Sequence, residues 1–244
     1  MTTTASDNAG ARRDQFFARS GLVIAAVILL SFPLTYYIPL ATGTKTFSLL
    51  RHLHGLAFFA WTGLYVLQTQ LAARGHVRLH REVGLVGIAL AGAMLPLGLW
   101  LAVAAIEGRI AKGFPLPFEW AIYNLVDILV FSLFMAWAIF ETRRRIDWHR
   151  RLAFIAILNL MGPAASRWFL NMPIPFPWLD MMPNLFADAA LIVLALHDRR
   201  TLGRVHPVTW LAAAVLVPIH IAEPLVARTA WWNGLAPSLF GFGG

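Results

Sequence analysis

Apolar residues run along this chain in long uninterrupted blocks, with polar residues confined to short seams between them. Seven blocks stand out, at roughly 20–42, 47–71, 83–106, 118–141, 151–171, 181–197 and 207–227. A helix needs ~20 apolar residues to cross ~30 Å of hydrocarbon, and most of the blocks reach that length. The sixth is short, and the fifth carries Asn159 and Arg167. Strands of a membrane barrel would alternate apolar and polar positions, which these blocks do not. The pattern predicts an all-α fold, a polytopic membrane bundle of seven transmembrane helices, with successive helices antiparallel because the seams are short. Residues 1–19 are expected as a tail, 20–227 as the membrane domain, and 228–244 as a second tail rich in aromatics and glycine.

Composition turns the pattern into an exclusion. The 244 residues are 59% hydrophobic and 13% charged, with a mean hydropathy of +0.65. A soluble domain would be about 45–50% apolar and about 25% charged, so a soluble enzyme is ruled out. Cysteine is absent, which removes disulfide frameworks, thiolate metal sites and cysteine nucleophiles.

The net charge of +8 would fit a nucleic-acid partner only if it gathered on one soluble face. It is divided between two sides instead. Fourteen of the twenty basic residues fall in the N-terminal tail and the second, fourth and sixth seams: Arg12, Arg13, Arg19, Arg74, Arg78, Arg81, Arg143, Arg144, Arg145, Arg150, Arg151, Arg199, Arg200 and Arg204. The other seams hold Lys45, Arg51, Arg109, Lys112 and Arg228. This bias predicts a cytoplasmic N-terminus and an outer C-terminus, and the arginines become an orienting collar against lipid headgroups. No nucleic-acid partner is expected. The apolar run Gly21–Ala41 is longer than the core of a signal peptide, so the first span is expected as a retained anchor. The outer seams Phe114-Pro115-Leu116-Pro117 and Pro173-Ile174-Pro175-Phe176-Pro177-Trp178, with Trp231 and Trp232, predict a stiff aromatic rim.

A threefold pattern underlies the blocks. The third, fifth and seventh each start at a histidine, in Leu79-His80-Arg81, Trp148-His149-Arg150 and Val205-His206-Pro207. Hairpins at 47–106, 118–171 and 181–227 then read as three related units after a lone first helix. At His80, His149 and His206 a polar helix start beside headgroups competes with a functional role.

Ionisable groups inside the spans are the informative residues, because each costs several kcal/mol in hydrocarbon unless paired or hydrated. Counting at 1.5 Å per residue from the outer end puts His54 ~9 Å, Asp127 ~14 Å and Asp188 ~11 Å deep. The same count puts Arg167 ~6 Å, His220 ~11 Å and Glu223 ~6 Å from that end. Asn124, Asn171 and Asn184 fall in the same outer slab, with Asn159 deeper. Asn124 with Asp127, Asn184 with Asp188, and His220 with Glu223 each share a helix face. His54, Trp61 and Gln68 step by seven and form a stripe along the second helix.

Two imidazoles and two or three carboxylates are a nitrogen and oxygen ligand set suited to zinc or non-haem iron. His54, His220, Asp127 and Asp188 are the expected metal ligands, or His54 and His220 the axial ligands of a haem. Asp127, Asp188 and Glu223 are the candidate catalytic acids. Arg167, Asn124 and Asn184 would hold the carboxylates or bind an anionic substrate group. This reading predicts an oxidoreductase acting on a quinone or lipid that enters between helices. A zinc-dependent lipid amide or ester hydrolase uses the same set. A proton-coupled transporter or sensor would use the acids as a relay. A structural network of salt bridges would need neither. A retinal protein is excluded because Lys45 and Lys112 lie in seams, leaving no lysine for a Schiff base.

At His54-Gly55, Trp61, Gln68, Leu79-His80-Arg81 with Gly84, and Trp148-His149-Arg150-Arg151, the chain resembles a family of bacterial multi-pass membrane proteins without an assigned activity. The stretch Leu196-His197-Asp198 through Val205-His206-Pro207 resembles their penultimate loop. The resemblance covers roughly 50–227 and implies a bacterial inner membrane location, with no reaction attached. More distantly, the histidine-arginine helix starts are similar to those of haem A synthases and cytochrome b-type quinol-linked reductases, which implies haem. The paired histidines those proteins carry at both membrane depths are missing here. Seven helices also resemble the ceramidase and adiponectin-receptor hydrolases, but their H-x-x-x-H pair is replaced by His220-Ile221-Ala222-Glu223.

Overall fold

A computed structural model describes the chain from Ala5 to Gly243 and its side chains from Gln15 onward. Arg12 and Arg13 of the basic collar therefore lie outside the described side chains. The regular structure of the described residues is all helical, with no strand. α1 (Ala5–Leu30) begins within the stretch expected as a tail and continues through a wide turn at Pro33–Tyr37 into α2 (Ile38–Ala41). α3 (Leu49–Ala73) and α4 (Val77–Ala111) form the first hairpin, and α5 (Ala121–Glu141) pairs with α6 (Ile146–Leu158) in the second. α7 (Met161–Ala165) and a tight turn at Ser166–Trp168 follow, then α8 (Trp178–Met181) and another tight turn at Met182–Asn184. α9 (Leu185–Leu202) and α10 (Pro207–Ala227) make the third hairpin, and α11 (Ala230–Leu239) closes the chain.

Five helices among the described residues are long and apolar enough to cross a membrane: Gln15–Ala41, Val77–Ala111, Ala121–Glu141, Trp178–Leu202 and Pro207–Ala227. Only 22–39% of each apolar window is buried inside the protein. Leu22, Leu56, Leu85, Leu133 and Ile192 are exposed, and so large an uncovered apolar surface needs lipid rather than water around it. The two remaining blocks depart from a plain apolar helix. α3 has the length, but His52, His54, Gln68 and Gln70 dilute it. The fifth block is no continuous helix, since α6 ends at Leu158 and α7 restarts at Met161.

The broken helix is the centre of the bundle. Leu152, Phe154, Ile155, Ala156, Ile157 and Leu158 are all at most 1% exposed, walled by α5, α1, α9 and α10. The break is covered by protein on all these sides, so its irregular backbone is shielded. The stretch after it is kept short and irregular by Pro163, which lacks the N–H a continuing helix would need.

Opposite ends of the bundle differ. Gly75 and Gly203 take positive φ (76° and 73°) to end α3 and α9 tightly, on the end rich in arginine. At the other end, Trp232 is 3% exposed and donates Nε1–H to Phe118 O at 2.9 Å. It anchors α11 over a second apolar cluster with Ile106, Ile122 and Ala236. The second tail is thus partly packed: Trp231 is exposed, but its neighbour Trp232 is core.

Candidate functional site

The polar residues of the far half, away from the arginine-rich end, fall into two groups. The first lies where α5, the α6–α7 break, α9 and α10 meet. Asn159, the residue that ends α6, donates Nδ2–H to the backbone carbonyl of Asp127 at 2.7 Å and to its Oδ1 at 3.3 Å. Its own Oδ1 is buried without a partner among the described residues. Glu223 on α10 is 3% exposed, within electrostatic range of Asp127 and Tyr123, and its Oε1 is also buried without a partner. One turn earlier on α10, His220 Nδ1 meets Asp188 Oδ1 at 2.8 Å. A carboxylate only accepts, so Nδ1 carries the hydrogen. Asn184 is buried against Gly162, close enough that a Cβ on that glycine would overlap its Oδ1.

Backbone chemistry aims the α10 residues. Pro218 and Pro224 lie inside the helix on either side of His220 and Glu223. Pro224 has no N–H, so the carbonyl of His220 loses its helical donor. Buried backbone groups of that kind, beside a broken neighbouring helix, are the usual ingredients of membrane binding sites.

The second group sits between α1, α3 and α7. His54 stacks on Phe58 at 4.1 Å, and its Nδ1 is buried without a partner among the described residues. Arg167 lies within electrostatic range of His54 and Tyr37, stacks over Phe32 at 4.0 Å and donates to Pro163 O. No carboxylate pairs with it among the described residues. Depth had placed His54 and His220 in one slab, yet they belong to different groups. No set of three or more His, Asp or Glu side chains with metal-holding geometry occurs among the described residues. Asn124 joins neither group: it is exposed and donates back to Trp120 O at 3.3 Å.

Trp61 and Gln68 continue below His54 on α3. Trp61 is 5% exposed and meets Phe131 of α5 edge-on at 5.4 Å. Gln68 faces Gly84 of α4.

The arginine-rich end holds a network that the sequence concealed. Arg151, expected in the exposed collar, is 1% exposed and bonds Asp198 Oδ1 through Nε at 3.1 Å and through Nη2. Its Nη1 donates to Asp147 O at 3.0 Å. Asp198 Oδ2 accepts from the His206 backbone N–H at 3.2 Å and from Thr209 Oγ1 at 2.6 Å. His206 caps α10: Nδ1 accepts from Val208 N–H at 3.2 Å, so the hydrogen is on Nε2, which donates to Asp147 Oδ2 at 2.9 Å. A cavity of about 340 Å³ opens there, lined by Asp147, Trp148, Arg151, Leu202, Arg204, His206 and Pro207.

The three helix-start histidines show how far the hairpins repeat. His80 Nδ1 donates to Gln68 O at 3.3 Å, and His149 Nδ1 to Ala138 O at 2.9 Å. Each reaches back to the last turns of the helix before its own, and the two rings lie 6.3 Å apart. His206 breaks the pattern by capping its own helix. This contact is therefore shared by His80 and His149 and not by His206.

Burial pushes the His206 imidazole below its ordinary 6.5, against the pull of the Asp147 hydrogen bond. Partial burial alone would raise Asp147, but the bond from His206 holds its carboxyl below the ordinary value. In both cases the unfolded chain binds protons that the fold refuses. Stability is then complete near pH 7–8 and falls as pH drops through 6.5 and on toward 3.8. His206→Asn keeps a capping oxygen for Val208 N–H without a titrating ring. The variant should show a shallower decline in Tm between pH 7 and 5 than the parent; an equal slope would remove His206 from the account.

Comparison with family models, characterised proteins and solved structures finds no match for this chain.

Proposed function

We propose that this protein is a multi-pass membrane protein that moves protons, as a proton-coupled transporter, with Glu223 and Asp127 as the proton-binding groups. One observation carries the reading. Two carboxyls lie within electrostatic range of each other in the bundle interior, Glu223 with a partnerless oxygen and Asp127 with an amide, and neither has a basic partner among the described residues. An ionised carboxylate buried without a counter-charge costs several kcal/mol, so such a group works by binding and releasing a cation, of which the proton is the smallest. The broken helix supports the same reading, since discontinuous helices at membrane depth are where transporters place their sites. The proton reading uses the buried acids directly, whereas a metal or haem reading joins His54, stacked on Phe58, with His220, bonded to Asp188.

The membrane arrangement belongs to this proposal. Seven crossings are inferred by adding α3 and the broken α6–α7 pair to the five long apolar helices. The arginine bias puts the N-terminus in the cytoplasm and the acids in the outer half, in keeping with a bacterial inner membrane.

The test is proton flux into liposomes containing the full chain and a pH-sensitive dye, driven by an imposed potential. The parent should carry protons. Glu223→Gln and Asp127→Asn should each lower the flux at least tenfold while Tm stays within a few degrees. Undiminished flux in the double variant would overturn the assignment.

A further inference from the structure

The acids reach only part of the way across. Asp127 lies ~14 Å from the outer end of its block, leaving the inner half of the membrane to be crossed. Buried polar atoms in that half are found along one face of α3. Trp61 Nε1, Tyr65 Oη, Gln68 Oε1 and Gln68 Nε2 are all buried without partners among the described residues, as is His54 Nδ1 higher on the same face. Positions 54, 61, 65 and 68 lie within one narrow stripe at 100° per residue and extend over ~21 Å. Trp61 and Tyr65 are 5% and 6% exposed.

Such a run of orphans is unusual. Buried polar atoms are nearly always bonded to protein or water, and each one left dry costs about 1–3 kcal/mol. Five on one stripe would be a heavy cost for a helix that tertiary contacts must hold. Neighbouring helices present glycine where the stripe passes, which lets them approach it closely. Gly21 of α1 lies against the Tyr65 ring, Gly87 of α4 against Trp61, and Gly84 of α4 leaves Gln68 Nε2 3.9 Å from where a Cβ would stand. The upper end meets the acids through α5: Trp61 contacts Phe131, one helical turn from Asp127. The lower end meets His80, which bonds Gln68 O and faces His149.

We propose that this face of α3 lines a hydrated path, and that water held by Trp61, Tyr65 and Gln68 passes protons between Asp127 and the His80–His149 pair at the arginine-rich end. The inference rests on the proton reading for its purpose, but its physical claim is about water. No covalent step is involved: the waters accept a proton from one side and donate one on the other, held by Trp61 Nε1–H, which only donates, and by the Tyr65 hydroxyl and Gln68 amide, which donate and accept.

Hydroxyl radicals made in place by X-ray radiolysis oxidise a buried side chain only where water is beside it. The full chain in lipid nanodiscs supplies its own control: Trp232 is equally buried at 3% exposed, but its Nε1 is bonded to Phe118 O. Trp61 should be oxidised at least tenfold faster than Trp232, and Tyr65 should also be labelled. Trp61 as slow as Trp232 would overturn the hydrated path, whatever the flux assay shows. Gln68→Leu tests conduction. It should lower proton flux at least tenfold, and an unchanged flux beside a Glu223→Gln variant that is inactive would remove the stripe from the route. A parent protein that labels at Trp61 but carries no protons would defeat the proton reading and the conduction claim, leaving only the water.

Discussion

Replacing Arg151 with Met should cost about 3–5 kcal/mol of stability, more than any single surface arginine. The guanidinium is at the heart of the arginine-rich end, 1% exposed, with Asp198 at 0%. Every charged atom of the pair is satisfied: Arg151 holds Asp198 and the Asp147 carbonyl, and Asp198 also takes Thr209 and the His206 backbone. Removing the cation strands a carboxylate that only a hydroxyl and one amide still support. The measurement is Tm and denaturant midpoint of the full chain in nanodiscs. Arg151→Lys should fall between parent and Met, because an ammonium cannot reproduce the fork that grips both Asp198 and the Asp147 carbonyl. The double variant Arg151→Met with Asp198→Leu should be less damaged than Arg151→Met alone, since an apolar pair can replace a buried ion pair nearly without loss. Parent-like stability in Arg151→Met would show that the pair is not holding the α6, α9 and α10 ends together.

The contrast between Arg151 and its neighbours shows which properties a sequence displays. Hydropathy reports whether a segment prefers lipid, so the long apolar helices were legible at once. It says nothing about azimuth. Arg150 and Arg151 are adjacent and equally basic, yet Arg151 turns inward to an acid 47 residues away that no local spacing links to it. Thr209 and the His206 backbone complete that site and carry no sequence signal beyond a proline at the helix start.

The same limit divided the far-half residues. Depth follows from counting residues, and the count gives ~11 Å for both Asp188 and His220, which are bonded, but ~14 Å for Asp127 and ~6 Å for Glu223, which lie within electrostatic range of each other. The direction each helix face points depends on how the helices rotate and cross, which the count omits. His54 therefore shares a depth with His220 but lies beside Arg167, and Asn124 shares three-residue spacing with Asp127 but faces outward. The break after Leu158 had a visible cue in Asn159 and Pro163, weak because either can sit inside a membrane helix when neighbours supply partners.

Gly162→Ala is the substitution that couples the break to the acids. The glycine sits in the second position of α7, buried, with Asn184 pressed against the place a methyl group would take. Neither side can yield freely, since Ala164 and Ala165 are 4% and 0% exposed and Asn184 is itself buried. Overfilling so tight a contact should cost about 1–3 kcal/mol, read as a fall in Tm. Asn184→Ala removes the opposing amide, so the double variant should recover most of the loss, a coupling that a general effect of alanine on the helix would not produce. Asn159 lies only three residues before Gly162 and positions Asp127 through two hydrogen bonds. Proton flux in Gly162→Ala should accordingly drop further than its Tm implies, and recover in the double variant. Should Asn184→Ala fail to restore either quantity, the close approach of α7 to the turn before α9 is not what sets the geometry of the acids, and the break would owe its shape to Pro163 alone.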